Sequence, residues 1–140
     1  MDFSRQASGE TVLSPTDIVY IREASSLSSP VSAGAIDYVL IDWVNPNYPS
    51  RSLHITELGT DQHDNSVYKW MIDGYNLPLS GRAAAGTIMK PFVFKDPIVV
   101  LESIQLLITN NNGVDYPNSS GSGLLDKIPY EGVVVGNWGW

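Results

Sequence analysis

Two histidines and fifteen acidic residues are the side chains with the most chemistry to offer in this 140-residue chain, which has no cysteine. Without cysteine there is no thiolate nucleophile, zinc knuckle or disulfide framework. His63 lies in the run Asp61-Gln62-His63-Asp64-Asn65, where an imidazole beside carboxylates has elements of a divalent-cation site. Calcium takes about 6–8 oxygens and the run offers few; zinc would need further ligands from elsewhere. The run therefore reads as a solvated hairpin tip, and no metal site is expected. His54 alternates with Leu53 and Ile55 and reads as a surface or cross-strand residue. The stretch Asn110 to Asp115 is rich in asparagine, as left-handed turns favour, and lacks EF-hand spacing.

Asp42, Glu57, Glu102 and Glu131 fall in or beside predicted strands. Glycoside hydrolysis needs two carboxylates at a set separation across a cleft. Outward-facing acids on a sheet are the ordinary reading. No G-x-S-x-G elbow is present, nor a G-x-G-x-x-G or P-loop pattern. No catalytic residue and no cofactor are expected, and the chain reads as non-enzymatic.

Fifteen acidic against eight basic residues give a net charge of −7. The basic residues are isolated and form no stripe that tracks a phosphate backbone, so nucleic acid is not an expected partner. The segment from Met1 to Pro15 has no apolar h-region and is not a signal peptide. The apolar runs fall far short of the roughly 20 residues of a membrane span. Both features lead us to expect a protein made in the cytoplasm, with no membrane partner.

The aromatics carry the remaining information. Trp43, Tyr68 and Trp70 lie on predicted strands and are expected in the core; if exposed, they would form a platform for sugar rings. Tyr48, Tyr75, Tyr116, Trp138 and Trp140 lie in predicted loops or near the last residue. Exposed aromatics of that kind need a cover. Trp138-Gly139-Trp140 reads either as a tail folded onto its own core or as an anchor in a neighbouring subunit, where tryptophan is a favoured hot-spot residue.

The elements that position these residues are strands. Asp17 to Glu23, Ile36 to Val44, Leu53 to Leu58, Val67 to Asp73, Thr87 to Phe94, Ile98 to Thr109 and Gly132 to Gly136 are rich in β-branched and aromatic residues. Thr11 to Leu13 is a further short candidate. Ile36 to Val44 is apolar on both faces and reads as a central strand. Asp73-Gly74 is a turn signal, Pro91 assigns its strand to an edge or bulge, and Ala83 to Ala85 allows one helical turn. Long connections around residues 24–35, 73–86 and 110–130 favour a Greek-key or jelly-roll sandwich of seven or eight strands. The expected organisation is a polar N-terminal arm, residues 1–16, and one all-β sandwich domain, residues 17–140.

In this overall character the chain resembles the accessory structural proteins of tailed-bacteriophage virions, the decoration or cement proteins and small head or tail β-sandwiches. The shared features are the untargeted Met1, the absence of cysteine, the acidic balance, the polar arm and the strand-loop texture. The resemblance implies a virion protein that docks on a major capsid or other virion protein as a trimer or lattice-bound oligomer, using arms and loops. Met1, Asp2, Phe3, Arg5, Tyr116, Trp138 and Trp140 are the expected interface residues. The alternatives are a carbohydrate-binding, lectin-like or receptor-binding sandwich and a small jelly-roll enzyme.

Overall fold

The computed structural model describes residues 17–120 and 123–139. The candidate strand at Thr11 to Leu13 and the interface residues Met1, Asp2, Phe3, Arg5 and Trp140 lie outside them. Among the described residues eight strands form: β1 Ile18–Ala24, β2 Tyr38–Val44, β3 Ser52–Thr60, β4 Ser66–Ile72, β5 Tyr75–Asn76, β6 Phe92–Val100, β7 Ser103–Asn110 and β8 Glu131–Gly139. A single helical turn, α1 Gly81–Ala84, starts where the Ser80 hydroxyl accepts from the Ala83 amide.

The strands make two four-stranded antiparallel sheets, ordered β1-β8-β3-β6 and β2-β7-β4-β5. β1 pairs with β8, β2 with β7, β3 with β6 and β4 with β5, the nested pairing of one long hairpin. Wrapping that hairpin around a core adds the pairs β3–β8 and β4–β7. The result is an eight-stranded jelly roll, the two-sheet solution to the edge-strand problem.

Alternation sets the core. In β7, Ile104, Leu106, Ile108 and Asn110 point inward while their neighbours are partly exposed. They meet Leu53, Ile55 and Leu58 of β3, Val134 of β8 and Trp70 of β4. Burial of each large aliphatic contributes about 1.5–3 kcal/mol. Close packing also fixes residue size in β8. A Cβ on Gly136 would meet the His54 carbonyl oxygen at 2.5 Å and Leu53 Cδ1 at 2.9 Å.

Four sequence expectations are corrected. Ile36 to Val44 is an edge strand, not a central one. A bulge at Leu40 shifts the phase between Val39 and Ile41, so Tyr38, Leu40, Ile41 and Trp43 all pack on the core. The apolar residues on both faces reflect that bulge. Second, Ile98 to Thr109 is two strands in different sheets, broken at Leu101-Glu102. The Asp73 carboxylate takes the amides of Leu101, Glu102 and Ser103 at 3.0, 2.6 and 3.0 Å, and the Asn45 side chain donates to the Leu101 carbonyl. Third, residues 61–65 are not a hairpin tip, because β3 and β4 belong to different sheets. Fourth, the final strand is longer than Gly132 to Gly136. Asn137 and Trp138 continue β8 in register with His54 and Leu53.

Other expectations match the architecture. Asp73 (φ 50°) and Gly74 (φ 84°) make the β4–β5 turn. β6 is an edge strand, as expected for the Thr87 to Phe94 segment, but it starts at Phe92, so Pro91 precedes it instead of lying in it; it carries Lys95, Asp96 and Pro97, residues that discourage further pairing.

Candidate functional site

Strand direction sorts the connections into two ends. The pairs Ala24–Glu131, Glu131's neighbour Gly132–Thr60 and Ser66–Asn110 place the β1–β2, β3–β4, β5–β6 and β7–β8 connections at one end. All the long loops gather there. The opposite end carries the β2–β3, β4–β5 and β6–β7 connections, together with Asp17 and Gly139.

At the long-loop end the β3–β4 connection arches over the sandwich and turns His63 inward. Its ring lies 4.0 Å from that of Tyr116 and 4.7 Å from that of Tyr130, centroid to centroid. The Tyr68 hydroxyl accepts from the His63 backbone amide at 2.8 Å and donates to Asp61 Oδ1 at 2.8 Å. The Glu131 amide donates to the same oxygen at 3.0 Å. Asp61 thus ties a loop to strands of both sheets. Asp61 Oδ2 and His63 Nε2 are buried with no hydrogen-bond partner among the described residues.

Burial dominates the electrostatics. It pushes the Asp61 carboxyl above its ordinary range, against the hydrogen bonds from Glu131 and Tyr68 and the charge of His63, which lower it. Burial, then the Asp61 charge, drives the Tyr68 phenol far up. Tyr130 is raised first by burial, against its bond to Ser66. A buried, perturbed carboxyl in a concavity is a mark of functional sites.

The cluster walls a concavity of about 370 Å³ lined by Asp61, Gln62, His63, Asp64, Asn65, Asn112, Tyr116, Leu125 and Ile128. Side chains lace the loops around it. Gln62, at φ 58°, donates to the carbonyls of Ala84 and Gly86. Asn112 donates to the Asp64 carbonyl, and Asp115 accepts from the Ala33 amide at 2.9 Å. The Ser25 hydroxyl donates to the Tyr116 carbonyl and accepts from the Tyr130 amide. Buried Asn110 donates to the carbonyls of Val31, Ser32 and Val114. These bonds cross-brace the backbone of the loops that wall the concavity.

Of the expected interface residues, the two that the structure describes, Tyr116 and Trp138, lie at opposite ends of the sandwich. Tyr116 is buried at the long-loop end, 8% exposed, inside its own domain. Trp138 lies at the other end in β8, its ring 5.8 Å from Trp43 and under the Arg51 guanidinium at 5.3 Å. His54, as expected, sits across the sheet from Asn137, with Nε2 3.0 Å from the Ser52 hydroxyl. Trp43, Tyr68 and Trp70 pack on or in the core, so they form no outward platform. The end holding Trp138 also exposes Val44, Tyr48, Tyr75 and Leu101. His63 and Asp61 were visible as residues but not as a site. The rings against His63, Tyr116 and Tyr130, come from the β7–β8 connection, distant in sequence.

Comparison with known protein families, curated proteins and solved structures finds no match to this chain.

Proposed function

We propose that the chain is a non-enzymatic virion structural protein that docks on a phage capsid through the tight-turn end of its sandwich. The observation that carries this reading is the apolar cluster at that end. Val44, Tyr48, Tyr75 and Leu101 are each more than half exposed, with Tyr75 at 79%. They sit on or beside short turns that neighbouring bonds hold rigid: Asn45 and Asp73 both grip the Leu101 corner. Exposed apolar groups gathered on a rigid frame mark an interaction surface, and tyrosine suits one because its ring is apolar and its hydroxyl is polar.

β1 begins and β8 stops at this same end, so residues 1–16 and Trp140 are attached there. In this reading they act together with the exposed cluster in docking. Docked copies on a lattice would add weak contacts by avidity. The jelly roll supports the reading by fold analogy, since viral capsid and lectin domains share that architecture, while function itself rests on the site.

The test is co-sedimentation of the purified chain with capsids from its source that lack it. Tyr48→Ser with Tyr75→Ser removes two exposed rings without touching the core, so folding is retained. Loss of capsid binding with an unchanged thermal midpoint is expected. Full binding by this variant and by a chain lacking residues 1–10 overturns the proposal.

A further inference from the structure

We infer that the concavity at the long-loop end is a socket for a guanidinium group, such as an arginine side chain presented by a partner polypeptide. This goes beyond the docking reading, because it concerns the opposite end of the molecule.

The lining argues the chemistry. It contains the carboxylates of Asp61 and Asp64, the amides of Gln62, Asn65 and Asn112, and, among the described residues, no lysine or arginine. The two carboxylates favour a cation, and the chain's net charge of −7 adds to it. The volume, about 370 Å³, lies in the range of ligand pockets, roughly 300–1,000 Å³. A divalent metal fits less well. Among the described residues no three His, Asp or Glu gather to hold one, so most of its ligands would have to be water.

The unpaired atoms argue the shape. Asp61 Oδ2 and His63 Nε2 both lack a hydrogen-bond partner among the described residues. Buried polar atoms without partners cost free energy and call for an explanation. A guanidinium presents several N–H donors in one rigid plane and serves two acceptors at once. Nε2 accepts only when the ring is neutral with its proton on Nδ1, and this is the form in which His63 faces a bound cation. Leu125 and Ile128 line the same wall, and apolar side chains of this kind cover the methylene stem of an arginine. Burial raises the Asp61 carboxyl; a cation beside it offsets that cost, so binding and ionisation reinforce each other. The two atoms are closed off from solvent. Entry therefore shifts the surrounding side chains, and His63 is the reporter of that shift.

The experiment is an NMR titration of the full chain with N-acetyl-arginine methylamide, reading the His63 ring and the Tyr116 and Asn112 signals. The uncharged isostere, N-acetyl-citrulline methylamide, is run beside it, and a neutral monosaccharide is the third probe. Saturable shifts at millimolar arginine derivative are expected, with the citrulline compound weaker by at least about tenfold. Asp61→Asn and, separately, exposed Asp64→Asn should each weaken binding by about threefold or more. Because Asp64 is on the surface, its variant keeps the test valid if Asp61→Asn alters folding. Absence of shifts at these residues, equal binding of the citrulline compound, or shifts with the sugar alone overturns the assignment.

Discussion

Asn110 holds the long-loop end together, and replacing it gives the sharpest test of how that end is built. The residue is fully buried at the end of β7. Its Nδ2 group shares two hydrogens among the carbonyls of Val31, Ser32 and Val114, at 3.2, 3.1 and 3.0 Å. Its Oδ1 accepts from the Asn112 amide at 2.9 Å. Asn110→Ala removes two donated hydrogens and one acceptor. At about 1 kcal/mol each, that is a loss of about 3 kcal/mol. Against a total stability of roughly 5–15 kcal/mol this is large, and it lowers the thermal midpoint by about 10 °C. Urea unfolding should show a lower midpoint with an unchanged slope, since the surface exposed on unfolding stays the same. Asn110→Asp is the discriminating variant. At neutral pH it places a carboxylate against three carbonyl oxygens, so it should be less stable than the alanine form. Protonation in acid returns one donor and narrows the gap. Hydrogen exchange at Val31 and Asn112 should accelerate in both. An alanine variant within about 0.5 kcal/mol of the parent, or an aspartate variant no worse than alanine, refutes the bracing argument.

Asp61→Asn keeps acceptors for Tyr68 and Glu131 and removes the buried charge. The folded Asp61 carboxyl is raised above its unfolded value. Its contribution is therefore present below the unfolded value and is lost as pH rises through the folded one. The parent should lose stability relative to the asparagine form over that climb; parallel urea midpoints from acid to neutral pH would contradict this. Asp73→Ala strips the acceptor from three corner amides and puts alanine at φ 50°, costing about 2–4 kcal/mol in chemical denaturation. Asp73→Asn, which tolerates the left-handed backbone, should cost less. Gly136→Ala drives a methyl toward the His54 backbone in the centre of a sheet and should destabilise by about 2 kcal/mol or more, read by calorimetry.

How far the fold could be read depended on whether the cause was local. β7 was legible because Ile104, Leu106 and Ile108 alternate with polar neighbours along one strand. The Asp73-Gly74 turn was legible because its backbone needs are written in two residues. The edge position of β6 was read from Pro91, which immediately precedes the strand. The β2 bulge was not legible: a single extra residue, Leu40, mimics a strand apolar on both faces, and period alone does not separate the two. The β6–β7 corner was hidden for a different reason. Leu101-Glu102 contains no glycine or proline, and what bends it is Asp73 and Asn45, far away in sequence. The candidate site failed in the same manner. Asp61 to Asn65 is polar and turn-like, which suits a hairpin tip as well as an inter-sheet arch. Only the assignment of β3 and β4 to different sheets turns His63 toward Tyr116 and Tyr130.

The two ends of the sandwich also differ in what they can sense of each other. A strand of seven residues, such as β1 or β4, spans about 23 Å at roughly 3.3 Å per residue. The Debye length at physiological salt is about 8 Å. Exposed charge at the long-loop end is therefore screened from the exposed rings at the other end, and the close-packed sheets between them offer no hinge. Docking through Tyr48 and Tyr75 leaves the Asp61 socket facing away from the docked surface. It follows that Asp64→Asn, which changes only exposed charge, should leave capsid co-sedimentation intact, and that Tyr75→Ser should leave the arginine-derivative titration intact. Coupling between those two measurements would mean that the sandwich transmits a structural change along its length, and the separation of the two ends would have to be abandoned.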